Sequence, residues 1–147
     1  TSVDYTFSVD NGNLSLSQGG TKETWKRVHD NKGALAGVWY ISGRLNNGQI
    51  APRAFGPRKT LKIMSGTRFQ WVQVNLESKE AGATGGGTYI FANGKYVETI
   101  EFFSRDSSRV GASLSFDDSV NGNVWTHKGQ SSTGQAMHEE WTRHPVK

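Results

Sequence analysis

Two histidines near the C-terminal end carry the strongest chemical signal in this chain. His127 lies in Val124-Trp125-Thr126-His127, and His138 in Ala136-Met137-His138-Glu139-Glu140. If these segments form a hairpin about residues 130–135, symmetric pairing sets His127 opposite His138 and puts Trp125 on the same side as Glu140. Directly opposed residues on a sheet face have Cβ atoms about 5 Å apart. Two imidazoles and a carboxylate at that spacing could supply an acid and a base for proton transfer. They could also bind a divalent metal, but spacing fixes no third strong ligand and no metal is expected. The plain alternative is a polar pair on an outer barrel face, and a one-residue slip would send the two histidines to opposite faces. His29 and His144 lie near the ends and are expected to be exposed.

A second group of candidates lies in the middle of the chain. Thr88-Tyr89-Ile90-Phe91, Asn93-Gly94 and Tyr96-Val97-Glu98-Thr99-Ile100-Glu101-Phe102-Phe103 read as a tight hairpin. A two-residue turn sets Phe91 opposite Tyr96 and Tyr89 opposite Glu98. Period-two alternation then groups Tyr89, Phe91, Tyr96, Glu98, Ile100 and Phe102 on one face. Glu98 and Glu101 point to opposite faces, so at most one looks into an interior. A carboxylate there, beside Tyr89 or Tyr96, is desolvated and its pKa raised. It could hold a polar ligand head, act as a general acid, or be satisfied by an arginine such as Arg68. Phe69 and Trp71 share a face, and Trp71 is a candidate cavity wall or plain core. The candidate ligand contacts are Trp71, Tyr89, Tyr96, Trp125, Arg68 and Phe55. The candidate proton-transfer residues are His127, His138, Glu98, Glu101 and Glu140.

Four Asn-Gly pairs, at 11–12, 47–48, 93–94 and 121–122, mark hairpin turns. Around them eight strands are expected, at about 37–43, 59–64, 67–75, 85–92, 95–103, 109–117, 123–129 and 136–143, with no helix of note. Residues 44–58 break the rhythm with Asn46-Asn47-Gly48, Pro52 and Pro57, and read either as a functional lid or as a connector. Gly85-Gly86-Gly87 lacks the helix and the Lys-Ser/Thr of a phosphate loop, and is expected to be a bulge or sharp bend. Residues 1–33 fall outside the eight strands. There Val3, Tyr5, Phe7 and Val9 alternate before Asn11-Gly12, then Leu14 and Leu16 follow, as in an extra hairpin that could cover the barrel or pair two subunits in a homodimer. Residues 34–147 form the main domain.

Composition narrows the function classes. The chain has 147 residues, of which 34% are hydrophobic, with 18 glycines and 16 aromatic residues, as in a β-rich globular protein. It has no cysteine, which excludes disulfides and thiolate chemistry. No apolar run approaches the roughly 20 residues of a membrane helix. The net charge of +4 comes from scattered basic residues without the dense run typical of nucleic-acid binding. No nucleophile elbow, zinc-protease motif or cofactor fingerprint occurs. The start at Thr1 and the absence of cysteine lean towards a processed, secreted or periplasmic protein.

Closure of a barrel is suggested by the ends of this pattern. Gly37-Val38-Trp39 opens the first barrel strand, and Trp141-Thr142-Arg143 lies in the last. In this the chain resembles the lipocalin-type (calycin) barrels. There a Gly-x-Trp tryptophan packs at the closed end, a late arginine lies across its ring, and a long loop follows the first strand over the mouth. Thr67-Arg68-Phe69-Gln70-Trp71-Val72, and Gly86-Gly87-Thr88-Tyr89 through Tyr96-Val97-Glu98-Thr99-Ile100-Glu101, are similar to small secreted bacterial lipocalin-like proteins, many without an assigned activity. The resemblance covers about residues 37–143. The usual lipocalin disulfide is impossible here, and residues 1–33 are additional. It implies an all-β, eight-stranded antiparallel up-and-down barrel with an extra N-terminal segment.

Three functions follow as expectations. The first is binding of a small apolar or aromatic ligand in the barrel cavity, gated by residues 44–58. The second is a cofactor-free cyclase, isomerase or lyase using the histidines and a glutamate. The third is an interaction or carbohydrate-binding module using Trp25 or Trp125 and the basic surface. Neither a nucleic-acid nor a membrane partner is expected.

Overall fold

The computed structural model describes residues 2–29 and 32–145, which divide into two compact units, residues 1–30 and residues 31–147. In the first unit, β1 (Thr6–Asp10), β2 (Asn13–Gln18) and β3 (Thr21–Lys26) form an antiparallel meander. Asn11-Gly12 makes the first turn with both residues at positive φ. Gly19-Gly20, also both at positive φ, makes a second turn and adds β3 to the expected hairpin. Cross-strand pairing puts Phe7, Val9, Leu14, Leu16 and Trp25 on one face of this meander.

The second unit contains β4 (Gly37–Asn46), β5 (Gln49–Pro52), β6 (Arg58–Met64), β7 (Arg68–Asn75), β8 (Glu80–Ala92), β9 (Lys95–Phe103), β10 (Ser113–Asn121), β11 (Val124–Gln130) and β12 (Ala136–Arg143), with a 3-10 turn at Ser107–Arg109. Each strand from β6 to β12 pairs antiparallel with its sequence neighbour, β4 pairs with β6, and β12 returns to pair with β4. The result is the expected closed eight-stranded barrel, with no unpaired edge around its ring. The described residues include no helix long and apolar enough to cross a membrane.

Residues 44–58 differ from a plain loop. The first barrel strand runs on to Asn46, turns at Asn47-Gly48 with both residues at positive φ, and returns as β5 along the C-terminal half of β4. The chain leaves the hairpin through Arg53 to Pro57 before β6 begins.

Three irregularities decide which side chains face inward. Ser42 is an extra residue in β4 between the pairs Ile41–Trp141 and Gly43–Glu140. Glu101 is an extra residue in β9 opposite Gly86/Gly87. The third lies between β7 and β8, beside Gln73. The Gly85-Gly86-Gly87 run thus sits at a bulge. A Cβ on Gly87 would lie 1.9 Å from the Thr99 carbonyl oxygen, so the close strand approach there admits only glycine. The expected grouping of Phe102 with Ile100 is overturned by this bulge: Phe102 is 41% exposed, and Phe103 turns inward.

Candidate functional site

One end of the barrel is sealed by the first and last strands. Burial of Leu35, Trp39, Met64, Tyr89, Tyr96, Trp125 and Trp141 makes the core at this end. Arg143 stacks its guanidinium carbon 4.1 Å from the centre of the Trp39 ring. Its two terminal nitrogens donate to the carbonyls of Ala36 and Ala34 at 2.5 and 2.9 Å, and Trp39 Nε1 donates to the carbonyl of Leu35 at 2.7 Å. The arginine thus satisfies the turn that leads into β4 while covering an aromatic face. Gly37 leaves room for it: a Cβ there would meet Arg143 Nη1 at 2.8 Å.

Above this plug lies a layer of ionisable groups. Strand β6 sends Lys62 inward between Thr60 and Met64. Its ammonium sits 4.7 Å from the Trp125 ring centre, 5.0 Å from Trp141 and 5.6 Å from Tyr96. Lys62 is 6% exposed and forms no ion pair among the described residues. Asp118, on β10, is directly opposite His127 on β11. The Asp118 carboxylate accepts a hydrogen bond from Trp125 Nε1 at 2.8 Å and lies 2.9 and 3.0 Å from His127 Nδ1. Burial holds the His127 pKa below its ordinary value, the Lys62 ammonium works in the same direction, and Asp118 opposes both. A neutral imidazole beside an acceptor-only carboxylate must carry its proton on Nδ1. Nε2 is then a lone pair. It is buried and has no partner among the described residues. The Phe116 ring holds the imidazole plane in place at a centroid distance of 4.0 Å.

Glu98 and Tyr96 complete the layer from β9. Glu98 is 9% exposed, and its Oε2, like the Tyr96 hydroxyl, has no partner among the described residues. Burial pushes the Tyr96 phenol well above its ordinary pKa, with the Glu98 carboxylate adding to the effect. On β12, opposite His127, Glu139 accepts from Trp141 Nε1 at 3.1 Å and pairs with Arg44 at 2.9 Å.

Of this layer, Lys62, Glu98, His127 and Glu139 border a cavity of about 290 Å³. Phe69, Trp71, Phe103, Phe116, Met137 and Trp141 supply its apolar wall, and Lys62, Glu98, His127 and Glu139 its polar points. Such a site can hold a flat ring against aromatic walls while hydrogen-bond acceptors orient it. The imidazole lone pair, fixed by Asp118, can also receive a proton.

Several expected placements are corrected. The β11–β12 register pairs His127 with Glu139 and Lys128 with His138, and Trp125 faces Trp141 rather than Glu140. The connection is five residues long, closed by Ser131 N–H donating to the Gln135 carbonyl at 2.8 Å, and Gly134 sits at positive φ. That register buries Trp141 against Trp125 and turns His138 and Glu140 to the outside, so the His127–His138 pair does not form. Glu101 is also outside, where it pairs with Arg68 at 2.7 Å with both side chains about half exposed. Arg68 therefore neither reaches the cavity nor satisfies Glu98. Phe55 packs outside on Tyr40 and His144, with Lys59 over its ring. Trp125 is wholly buried, so of the two tryptophans proposed for surface recognition only Trp25 is exposed. Tyr89, Tyr96 and Trp125 lie in the core beneath the cavity, and Trp71 lines it. Tyr89 donates from its hydroxyl to the Ser65 carbonyl at 2.5 Å.

Asp118, Lys62, Glu139 and Arg44 were missed. Asp118 fell beyond the expected strand end at residue 117. Strand β10 is shifted later because the 3-10 turn and Gly111, at φ +89, occupy the start of the expected span. The available signal was the turn at 121–123. With Gly122-Asn123 as its central pair, as observed, Asp118 meets His127; with Asn121-Gly122 it would meet Trp125. Lys62 alternates with Thr60 and Met64, but a lysine among inward positions reads as an error unless its ring contacts are known. No group of three or more possible metal ligands occurs among the described residues.

No protein-family model matches the sequence, and no curated protein does. A solved structure of a lipocalin-like protein from Bacteroides uniformis is similar in fold, with a TM-score of 0.53 and 11% identity over 76% of this chain and 100% of that one. That likeness, with the closed antiparallel ring and the Trp39–Arg143 plug, identifies the fold of this chain as a lipocalin-like barrel.

Proposed function

We propose that the barrel binds a small ligand of one or two rings that carries a hydrogen-bond donor. The observation behind this reading is the pair of buried acceptors, His127 Nε2 and Glu98 Oε2, on residues lining a cavity whose other walls are aromatic. Buried polar atoms without partners are costly, by about 1–3 kcal/mol each, and a hydroxyl or amine on a bound ring removes that cost. The cavity volume of about 290 Å³ favours a compact ring system over a long acyl chain. Native mass spectrometry of the purified protein, compared with the denatured mass of 16.2 kDa, tests the reading. Extra mass released on unfolding supports it. A bare mass, combined with no quenching of tryptophan fluorescence by any hydroxylated aromatic compound, rejects it.

A second reading is favoured by one specific feature, the Asp118–His127 pair. Asp118 fixes the tautomer that leaves Nε2 basic, and the Lys62 ammonium stands near enough to affect the imidazole and to stabilise an anion formed by proton removal. In this reading the barrel is a cofactor-free proton-transfer enzyme. Turnover would follow a pH profile whose basic group disappears in His127→Gln. Full turnover in that variant would rule His127 out as the base.

A further inference from the structure

The cavity opens onto a wider depression of about 530 Å³ at the end of the barrel opposite the Trp39–Arg143 plug. Four arginines line it: Arg44, Arg53, Arg58 and Arg105. Arg44 and Arg105 also line the inner cavity, as do Thr60 and Gln73, so the two spaces are continuous. One carboxylate, Glu80, belongs to the depression, and it accepts from Ser78 Oγ at 2.9 Å. Arg44 is paired with Glu139, and Arg105 donates to the Gln73 side chain at 2.7 Å, which fixes both guanidiniums at the rim. Arg53 and Arg58 form no ion pair among the described residues. Deeper in the cavity, Lys62 adds another cation without an ion pair among the described residues.

This charge pattern has a direction. Arg53 and Arg58 bring positive charge to this concavity that no carboxylate among the described residues pairs, and the planar forks of guanidiniums match carboxylate, sulfate or phosphate oxygens two at a time. The inner cavity presents acceptors and aromatic faces, whereas the rim carries four guanidiniums against the single carboxylate of Glu80. Resting on the ligand-binding reading above, we propose that the ligand is an amphipathic anion. Its ring and hydrogen-bond donor enter the lumen towards Glu98 and His127, and its anionic group stays at the mouth between Arg44, Arg53, Arg58 and Arg105. Arg53 and Arg58, the two without a carboxylate partner, carry the recognition. The positive mouth also raises the local concentration of such anions at low ionic strength.

Two matched probes test this: β-naphthol, and the hydroxynaphthalenesulfonate that carries a sulfonate at the far end of the same rings. Binding of each to the full chain is followed by tryptophan quenching and calorimetry. The sulfonate is expected to bind at least about 10-fold tighter at low salt, with most of that advantage lost at about 1 M salt, where the screening length falls to about 3 Å. In an Arg53→Gln, Arg58→Gln double variant the ratio of the two affinities is expected to fall to about one. Both side chains are exposed, so the fold should tolerate the change. If β-naphthol binds and the sulfonate binds no better, the anion site is wrong and the lumen reading stands. If the sulfonate keeps its advantage in the double variant, the mouth arginines are not the site. If neither probe binds at any salt concentration, the lumen reading fails and this proposal fails with it.

Discussion

Replacing Asp118 by Asn changes two protons' worth of bonding without changing side-chain shape. The wild-type carboxylate accepts from Trp125 Nε1 and from His127 Nδ1, and it is 6% exposed. The amide has one acceptor oxygen and a donor-only nitrogen. If the oxygen stays with Trp125, the amide nitrogen faces the imidazole, and Nδ1 must become the acceptor. The ring proton then moves to Nε2, which converts the lumenal lone pair into a donor. Two charge-assisted bonds of about 1.5–3 kcal/mol become neutral ones of about 0.5–1.5 kcal/mol, and relief from burying a carboxylate offsets part of the loss, leaving a destabilisation of about 2 kcal/mol. Urea unfolding followed by tryptophan fluorescence measures that loss, and imidazole nitrogen chemical shifts report the tautomer. In a His127→Phe background the cost of Asp118→Asn should shrink by about 1 kcal/mol, because one of the two bonds is already gone. A loss under about 0.5 kcal/mol with Nε2 still unprotonated would refute the assigned bonding, and with it the reading of His127 as an oriented base.

Other consequences follow from the same geometry. Burial holds His127 below its ordinary value, so on acidification from about pH 6.5 the unfolded chain takes up that proton first. Stability should therefore fall in the window just below that pH, by up to about 1.4 kcal/mol per unit, and a His127→Gln variant should lose this slope in pH-dependent unfolding. Arg143→Lys keeps the charge but not the planar fork that stacks on Trp39 and reaches two carbonyls, so it should destabilise by about 1–3 kcal/mol in chemical denaturation; a neutral result would show that the plug contributes no stability. Gly87→Ala should prevent folding or lower the melting temperature sharply, as judged by circular dichroism, because the new methyl overlaps the Thr99 carbonyl. Gly56→Ala, with nothing within 4 Å of its Cβ position, should leave melting nearly unchanged.

The barrel was legible because its signals are local or terminal. The Asn-Gly pairs at 11–12, 47–48 and 93–94 each impose a turn geometry on their own, and the Tyr89–Glu98 and Phe91–Tyr96 pairs follow from one such turn with no other information. The plug was legible through the resemblance to lipocalin-type barrels, in which the tryptophan of Gly-x-Trp, here Trp39, packs under a late arginine, here Arg143. Of the candidate site, His127, Glu98 and Trp71 were found, since each lies on a strand whose alternation is unbroken as far as that residue. His138 and Glu140 were placed wrongly, both through a register error of one residue between β11 and β12, whereas Glu101 lies on the face opposite Glu98 as expected. The five-residue connection after β11 has no sequence mark comparable to Asn-Gly, so its register had to come from the burial of Trp141 against Trp125.

The bulges explain why the cavity's outer half stayed hidden. Along β4, Trp39 and Ile41 face inward, and strict alternation would carry Gly43 and Leu45 inward after them. The extra residue at Ser42 reverses the count, so Arg44 faces in and reaches Glu139, whereas Gly43 lies against Ile50 and Glu140 outside. Ser42 is held at this break by its hydroxyl, which donates to the Glu140 carbonyl at 3.2 Å and accepts from Thr142 Oγ1 at 2.8 Å. Along β9 the extra residue at Glu101 likewise turns Phe103 inward and leaves Glu101 to pair with Arg68. In both strands the inner half keeps the regular pattern that builds a hydrophobic floor, and the break comes where the wall must change from floor to mouth. A bulge is the inexpensive way to make that change, because it redirects a side chain without altering the strands on either side. The rim residues of this barrel therefore sit out of phase with the pattern that gives the fold away.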